Sequence, residues 1–150
     1  YPIDKIVLMG TSMGGCTALT YAATAPEDIK KELCGVVSVE GAGDLARLYA
    51  TTKHPQVKMA MVDALGGTPT SAPAQYKKKS FLPNIDGLPK GTRVTVVSAT
   101  RDVIAPVVLQ TELIAELESR QFKVKRIDVD SGHGAPPSAV YTQALERSYF

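Results

Sequence analysis

The chain has 150 residues, of which 44% are hydrophobic and 21% charged, and its formal net charge is +2. This composition is typical of an ordinary globular protein, so we predict a single domain over residues 1–150. The small net charge gives no reason to expect a nucleic acid or a membrane surface as partner, and no apolar run is long enough to span a membrane. Two cysteines, Cys16 and Cys34, are too few for a disulfide framework, and Cys16 is expected to be a small buried thiol.

The first predicted strand begins at Lys5 and stops at Gly10, and Ser12, paired glycines and a helix-forming segment follow it. This is G-x-S-x-G between a strand and a helix, the context in which the pattern indicates a nucleophile elbow. We expect the turn to expose the Ser12 hydroxyl and the Met13 N–H to point at an oxyanion formed on a substrate. Gly10 and Gly14 are expected to leave room for the neighbouring strand and helix. A glycine-rich turn that merely contains a serine is the alternative.

Strands and helices alternate along most of the chain. Four strands, each leading through a turn to a helix, predict an α/β fold, a three-layer sandwich with a mostly parallel sheet and right-handed crossovers. After the elbow we predict a helix over 14–25, a strand over 33–39, short helices over 45–50 and 57–65, a strand over 93–98, a helix over 106–119, a strand over 123–129 and a last helix from residue 138.

The segment 45–91 interrupts this alternation with Thr, Pro and Gly clusters. A connection this long inside a domain is usually functional, so we predict a cap-like insertion or pocket wall. A disordered linker is the alternative, although the apolar content argues against it. Met59, Met61 and Tyr76 are candidate apolar contacts for a substrate, and packing within the helix is the more ordinary role for the two methionines. The basic run 77–79 is expected to be a solvated loop.

Polar side chains follow three of the predicted strands where each strand ends: Ser12, Asp102 and His133. The carboxyl ends of parallel strands lie along one sheet edge, where ligands of open α/β sheets bind, so we expect these side chains to meet. A serine hydroxyl is a weak nucleophile until a base removes its proton, and a neutral imidazole can take that proton and return it to a leaving group. A carboxylate on the other ring nitrogen fixes the tautomer.

Each of these assignments has a rival. His133 lies in Gly-His-Gly, where the ring is free to turn inward, and an exposed loop histidine is the alternative. Glu40 ends the second strand and competes with Asp102 for the role of the acid, since the order serine, acid, histidine fits both. Asp44 is a weaker rival. The alternative role for Asp102 is to cap the following helix or to pair with Arg101.

Four stretches carry a resemblance to a known family: the strand and elbow at 6–15, residues 66–69 with Pro73, Tyr76 and Ser80, the turn at 98–106, and the Gly-His-Gly turn at 132–134. Together they resemble the carboxyl-terminal half of an α/β-hydrolase, closest to the prolyl oligopeptidase-like and dienelactone hydrolase-like branch. The resemblance implies Ser12 as nucleophile, His133 as base and Asp102, rather than Glu40, as acid.

The implied activity is that of a serine hydrolase that cleaves a carboxylic ester through an acyl-enzyme, with a small-molecule ester or peptide as substrate and without a metal or organic cofactor. A serine peptidase of the prolyl oligopeptidase-like type is one alternative, and an inactive fragment or interaction module that retains the fold is another. The sequence starts at Tyr1 and does not contain the family's earlier strands or its second oxyanion donor. We therefore expect a fragment of a larger protein, whose sheet edge is covered by the missing segment or by a second copy.

Overall fold

The computed structural model describes residues 4–134 and 136–149, and four strands in these ranges form one parallel sheet in the order β1-β2-β3-β4. The strands are β1 (Ile6–Thr11), β2 (Leu33–Val39), β3 (Arg93–Ala99) and β4 (Lys123–Val129). The α-helices are α1 (Met13–Thr24), α2 (Glu27–Glu32), α3 (Leu45–Thr51), α4 (Pro55–Leu65), α5 (Pro73–Lys79), α6 (Val107–Ser119) and α7 (Ser138–Tyr149), and a 3-10 helix covers Leu82–Gly87. The predicted α/β fold with a parallel sheet is confirmed.

The two central strands are almost wholly buried, because helices cover both faces of the sheet. β2 and β3 are rich in valine, which suits a strand that is packed on both faces. Val36 of β2 lies opposite Val94 of β3, which in turn lies opposite Val124 of β4. The outer strands β1 and β4 are only half-buried, and β4 carries charged side chains that suit an edge.

One face of the sheet holds the main core. Leu19 and Ala22 of α1, together with Leu113 and Leu117 of α6, pack there against the strands and are fully buried. The helix α6 therefore buries a stripe of leucines against the sheet. The opposite face is covered by α7, where Ala144 packs with Val37, Val39 and Val97. These layers are the predicted three-layer arrangement.

The buried face of the last helix, α7, is not wholly apolar. Val140 and Tyr141 pack against the second core, whereas Leu145 and Tyr149 are 39% and 38% exposed. Ser148 is fully buried instead, and its hydroxyl lies 2.8 Å from that of Thr95. A polar residue therefore occupies part of the buried face, and hydrophobicity alone could not identify it.

The segment 45–91 contributes to the main core through its last part. Phe81 and Ile85 are buried among the residues of α1 and α6, so the 3-10 helix belongs to the body of the domain. The helices α3 and α4 have no fully buried residue. Met59 is 65% exposed, so the expected packing role is wrong for this methionine.

The sequence does not predict two short helices, α2 and α5. The helix α2 has no buried residue, and only Pro26, an acidic first turn and a basic last turn indicate it. The basic run 77–79 forms the exposed last turn of α5 rather than a loop. The described residues contain no helix with the length and apolar character that crossing a membrane requires.

Candidate active site

The turn between β1 and α1 has the backbone geometry of a nucleophile elbow. Ser12 has φ 55° and ψ −119°, a strained conformation for a residue with a side chain. Its N–H donates to the carbonyl of Val39 at 2.7 Å, and its own carbonyl accepts from the N–H groups of Gly15 and Cys16 at 3.0 and 3.2 Å. These hydrogen bonds stabilise the strained conformation of Ser12 and join the elbow to the neighbouring strand β2.

Glycines let the strand and the helix approach each other at this elbow. A Cβ on Gly10 would collide with the carbonyl of Gly14, as expected for a close strand-to-helix approach. A Cβ on Gly14 itself would meet nothing within 4 Å, so the packing role predicted for Gly14 is wrong. Gly15 has that role instead, since its Cβ would lie 2.8 Å from the Ser38 hydroxyl and 3.2 Å from Gly41 Cα.

The structure brings together the three side chains that follow β1, β3 and β4. His133 Nε2 lies 2.8 Å from Ser12 Oγ, and His133 Nδ1 lies 2.7 Å from Asp102 Oδ2. With Nδ1–H donating to the carboxylate, Nε2 is free to accept the serine proton. The imidazole therefore bridges the hydroxyl and the acid in the geometry that activation of a serine requires.

Asp102 is fixed by its own turn. Its other oxygen, Oδ1, accepts from the N–H groups of Ile104 and Ala105, both at 2.9 Å, and its side chain has no exposed surface. The acid turn thus orients one carboxylate oxygen toward the backbone and the other toward His133. The rival interpretation of Asp102 as a partner of Arg101 does not fit, because Arg101 pairs with Asp130 at 3.0 Å.

The two rival acids have different positions. Asp44 caps α3, where its carboxylate accepts from Ala46 N–H at 2.8 Å and Arg47 N–H at 3.1 Å. Glu40 lies beside the candidate site: its Oε2 accepts from the Gly134 N–H at 2.8 Å and lies 3.6 Å from His133 Nδ1. Asp102 is the nearer acid.

Burial raises the pKa of the Glu40 carboxyl above its usual value, against the opposing effects of the Gly134 N–H and the nearby His133. The side chain is 1% exposed. Sequence reasoning named Glu40 only as a competing acid. The sequence indicates a role for Glu40 only through its position directly after a buried strand. That position does not predict the contact between Glu40 and the histidine turn.

Met13 and Tyr76 were the other predicted contacts. Met13 is the first residue of α1, and the first N–H groups of a helix have no partner inside it, so the Met13 N–H is available to an oxyanion. Tyr76 is 2% exposed and packs edge-on against Tyr49 with ring centroids 6.2 Å apart. Its ring therefore lies in the contact between α3 and α5 and presents little surface to a substrate.

Three side chains at the site are of types that can bind a metal ion. Glu40, Asp102 and His133 each offer one ligand atom, and these atoms lie within 4.8 Å of one another. Both nitrogens of His133 are already engaged, one with Asp102 and one with Ser12. The arrangement is therefore better suited to proton transfer than to metal coordination.

A family model described as the prolyl oligopeptidase family matches residues 2–150. Solved structures are similar to the chain at low identity. A puromycin-hydrolyzing peptidase of Mycobacterium tuberculosis is 18% identical with a TM-score of 0.76. The Pyrococcus horikoshii acylaminoacyl peptidase is 14% identical with a TM-score of 0.77, and the Porphyromonas gingivalis dipeptidyl peptidase 4 is 16% identical with a TM-score of 0.75. No curated protein shows significant similarity.

These likenesses cover nearly all of this chain and a minor part of the others. The alignments include 97%, 99% and 97% of the chain, but 21%, 24% and 19% of the three peptidases. An α/β-hydrolase from Vibrio vulnificus, 19% identical with a TM-score of 0.63, matches 97% of the chain and 48% of its own length. The fold is therefore that of an α/β-hydrolase, and the chain spans about a quarter or less of the length of the three peptidases.

Proposed function

This chain belongs to the prolyl oligopeptidase family, and we propose that it carries the nucleophile, base and acid of a serine hydrolase that works through an acyl-enzyme. The observation that carries the proposal is the continuous contact from Ser12 Oγ through the His133 ring to Asp102, at 2.8 and 2.7 Å. Family membership supports it independently of that geometry.

The first half-reaction follows from these contacts. His133 Nε2 takes the proton of the Ser12 hydroxyl while Oγ forms a bond to the substrate carbonyl carbon. Asp102 stabilises the imidazolium that results. His133 then gives the proton to the departing nitrogen or oxygen, the bond to the leaving group breaks, and the acyl group remains on Ser12.

The second half-reaction uses the same groups with water in place of the hydroxyl. His133 removes a proton from water, the water oxygen attacks the acyl carbon, and Ser12 Oγ leaves with the proton from His133. In both halves the Met13 N–H stabilises negative charge on the carbonyl oxygen. One such donor is typically worth on the order of 10²–10³ in rate.

The substrate bond can be an ester or an amide. The sequence predicts an ester, and the same chemistry serves an amide when His133 protonates the leaving nitrogen. The family and the peptidases among the similar structures favour a peptide bond, so we propose a peptide or acyl-amide as the principal substrate. The ester stays a prediction.

A matched pair of substrates tests both parts. Short N-acylated peptides carrying a p-nitroanilide or a p-nitrophenyl ester are offered to the wild type and to Ser12→Ala. We expect release of nitroaniline and nitrophenol by the wild type and a loss of several orders of magnitude in the variant. Cleavage of the ester alone would favour the esterase. If the folded wild type cleaves neither, the chain is an inactive module that retains the fold.

A further inference from the structure

The buried carboxyl group of Glu40 lies at the site but takes no part in the two half-reactions. Glu40 follows β2, and its side chain lies against the histidine turn. We propose that Glu40 is a positioning residue for the base: it fastens the turn that carries His133 and adds a second negative charge beside the Nδ1 edge of the imidazole. This inference rests on the proposed function, because it assigns Glu40 to the same site.

The backbone of Glu40 has a strained conformation. Its φ is 54°, in the left-handed region that glutamate rarely adopts, and the only other described non-glycine residues with positive φ are Ser12 and Gln121. The Glu40 N–H donates to the carbonyl of Val97 at 2.8 Å, which fixes the strained residue to β3. Such strain persists where surrounding contacts over-determine it, and it concentrates at functional sites.

The contact with Gly134 ties two turns together. Oε2 of Glu40 accepts the Gly134 N–H at 2.8 Å, one residue after the candidate base. The Gly-His-Gly turn has little side-chain packing of its own, so this bond limits the positions that His133 can take. The hydrogen bond from the Gly134 N–H to this buried carboxylate therefore compensates for the freedom that the two glycines allow.

The same oxygen lies close enough to act on the charge of the ring. It is 3.6 Å from His133 Nδ1, compared with 2.7 Å for Asp102 Oδ2, so the imidazolium formed during catalysis has two carboxyl groups beside its Nδ1. An opposite charge at this distance favours the charged form of the ring. Oε1 of Glu40 has no hydrogen-bond partner among the described residues, so the carboxyl is not consumed by another structural contact.

The other ionisable groups near this pair are already engaged. Arg101 and Asp130, from the turns after β3 and β4, pair with each other at 3.0 Å and are mostly exposed. The Cys16 thiol of α1 accepts the Ala42 N–H at 3.1 Å, and burial raises its pKa, so it stays neutral. Asp102 and Glu40 are therefore the charged groups that face His133.

NMR of the His133 ring tests the charge without requiring turnover. Imidazole ¹⁵N spectra are recorded at one fixed pH for the wild type, for Glu40→Gln, and for Glu118→Gln as a control on an exposed glutamate of α6. We expect the His133 ring resonances to shift in E40Q, because the substitution removes a carboxylate 3.6 Å from Nδ1 and hardly changes the size of the side chain. The His54 resonances in E40Q, and the resonances of both histidines in E118Q, are expected to stay at their wild-type positions.

His133 ring resonances in E40Q that coincide with those of the wild type and of E118Q would overturn the electrostatic part of the proposal. Because this readout needs no substrate, it is independent of the proposed activity. A wild type that cleaves no substrate but shows the shift would sink the proposed function and leave the placement of Glu40 intact. An active wild type without the shift would overturn the electrostatic role of Glu40 and leave the proposed function intact.

Measurement of kcat tests whether the hydrogen bond between Glu40 and the Gly134 N–H positions the histidine turn. Glutamine keeps an oxygen that accepts the Gly134 N–H, whereas alanine removes it. We expect Glu40→Ala to lower kcat by about tenfold or more relative to E40Q at equal folded fraction, which corresponds to one hydrogen bond. Asp102→Asn is expected to cost far more, about 10⁴ in kcat. Equal kcat in E40A and E40Q would overturn the positioning role, and a greater loss in E40Q than in D102N would make Glu40 the acid.

Discussion

Ser12 and Glu40 have nearly the same positive φ, 55° and 54°, and both lie at the carboxyl end of a strand. The strain at Ser12 could be predicted, because G-x-S-x-G after a strand requires a sharp turn. The strain at Glu40 could not, because no local pattern marks it: it arises from bonds to Val97 and to Gly134, which are 57 and 94 positions away. Local sequence predicts strain only where the turn itself demands it.

The raised pKa of Glu40 has a consequence for stability. Its usual value is 4.5, and the folded protein binds the proton more tightly than the unfolded chain. The Glu40 contribution to the free energy of unfolding is therefore largest below about pH 4.5 and is lost as the pH rises through the raised pKa. Glutamine does not titrate, so Glu40→Gln should gain stability relative to the wild type across this interval. Urea unfolding from pH 4 to 8 measures the difference, and a constant difference would contradict this prediction.

At the scale of elements, apolar runs predicted the strands well. The bounds of β2 and β4 are those expected from the sequence, and the long helix α6 begins one residue after Pro106. The helices α2 and α5 were missed because each is short and has at most one buried residue, so neither shows an apolar period. Short helices that hardly contribute to a core leave little trace in the hydrophobic pattern.

The two glycines of the elbow motif give an element-scale prediction with its own control. Gly10→Ala should lower the free energy of unfolding by about 1–3 kcal/mol or more, because the new Cβ meets the backbone carbonyl of Gly14. Gly14→Ala should leave it unchanged or raise it by about 0.5–1 kcal/mol, because the Cβ enters open space within a helix. Thermal and urea unfolding of both variants decide the matter. Equal losses would contradict the packing of strand against helix described above.

At the scale of the whole molecule, the expected sheet edge is visible at β1. Among the described residues β1 pairs with β2 alone, and its side chains are half-buried apart from Met9, which is 37% exposed. An edge strand of this kind exposes backbone N–H and C=O groups that can pair with another strand. The resemblance to the α/β-hydrolase branch predicts this edge, because that family's sheet has further strands before the nucleophile strand.

We therefore expect the β1 edge of the 150-residue chain to be met by a second copy or by a sheet-forming segment. Light scattering coupled to size-exclusion chromatography should show a dimer or larger species when this chain is studied by itself. A replacement of Met9 by lysine, which adds charge beside that edge, should shift the population toward monomer. A wild type that stays monomeric at high concentration would contradict this expectation.

The central claim is that Ser12 is a nucleophile activated through His133, and a fluorophosphonate probe tests it most directly. The probe is incubated with the folded wild type, with Ser12→Ala and with His133→Ala, and labelled peptides are mapped by mass spectrometry. We predict a single adduct on Ser12 in the wild type, none in S12A and strongly slowed labelling in H133A. An unlabelled wild type, or an adduct on any other residue that persists in S12A, would contradict the account.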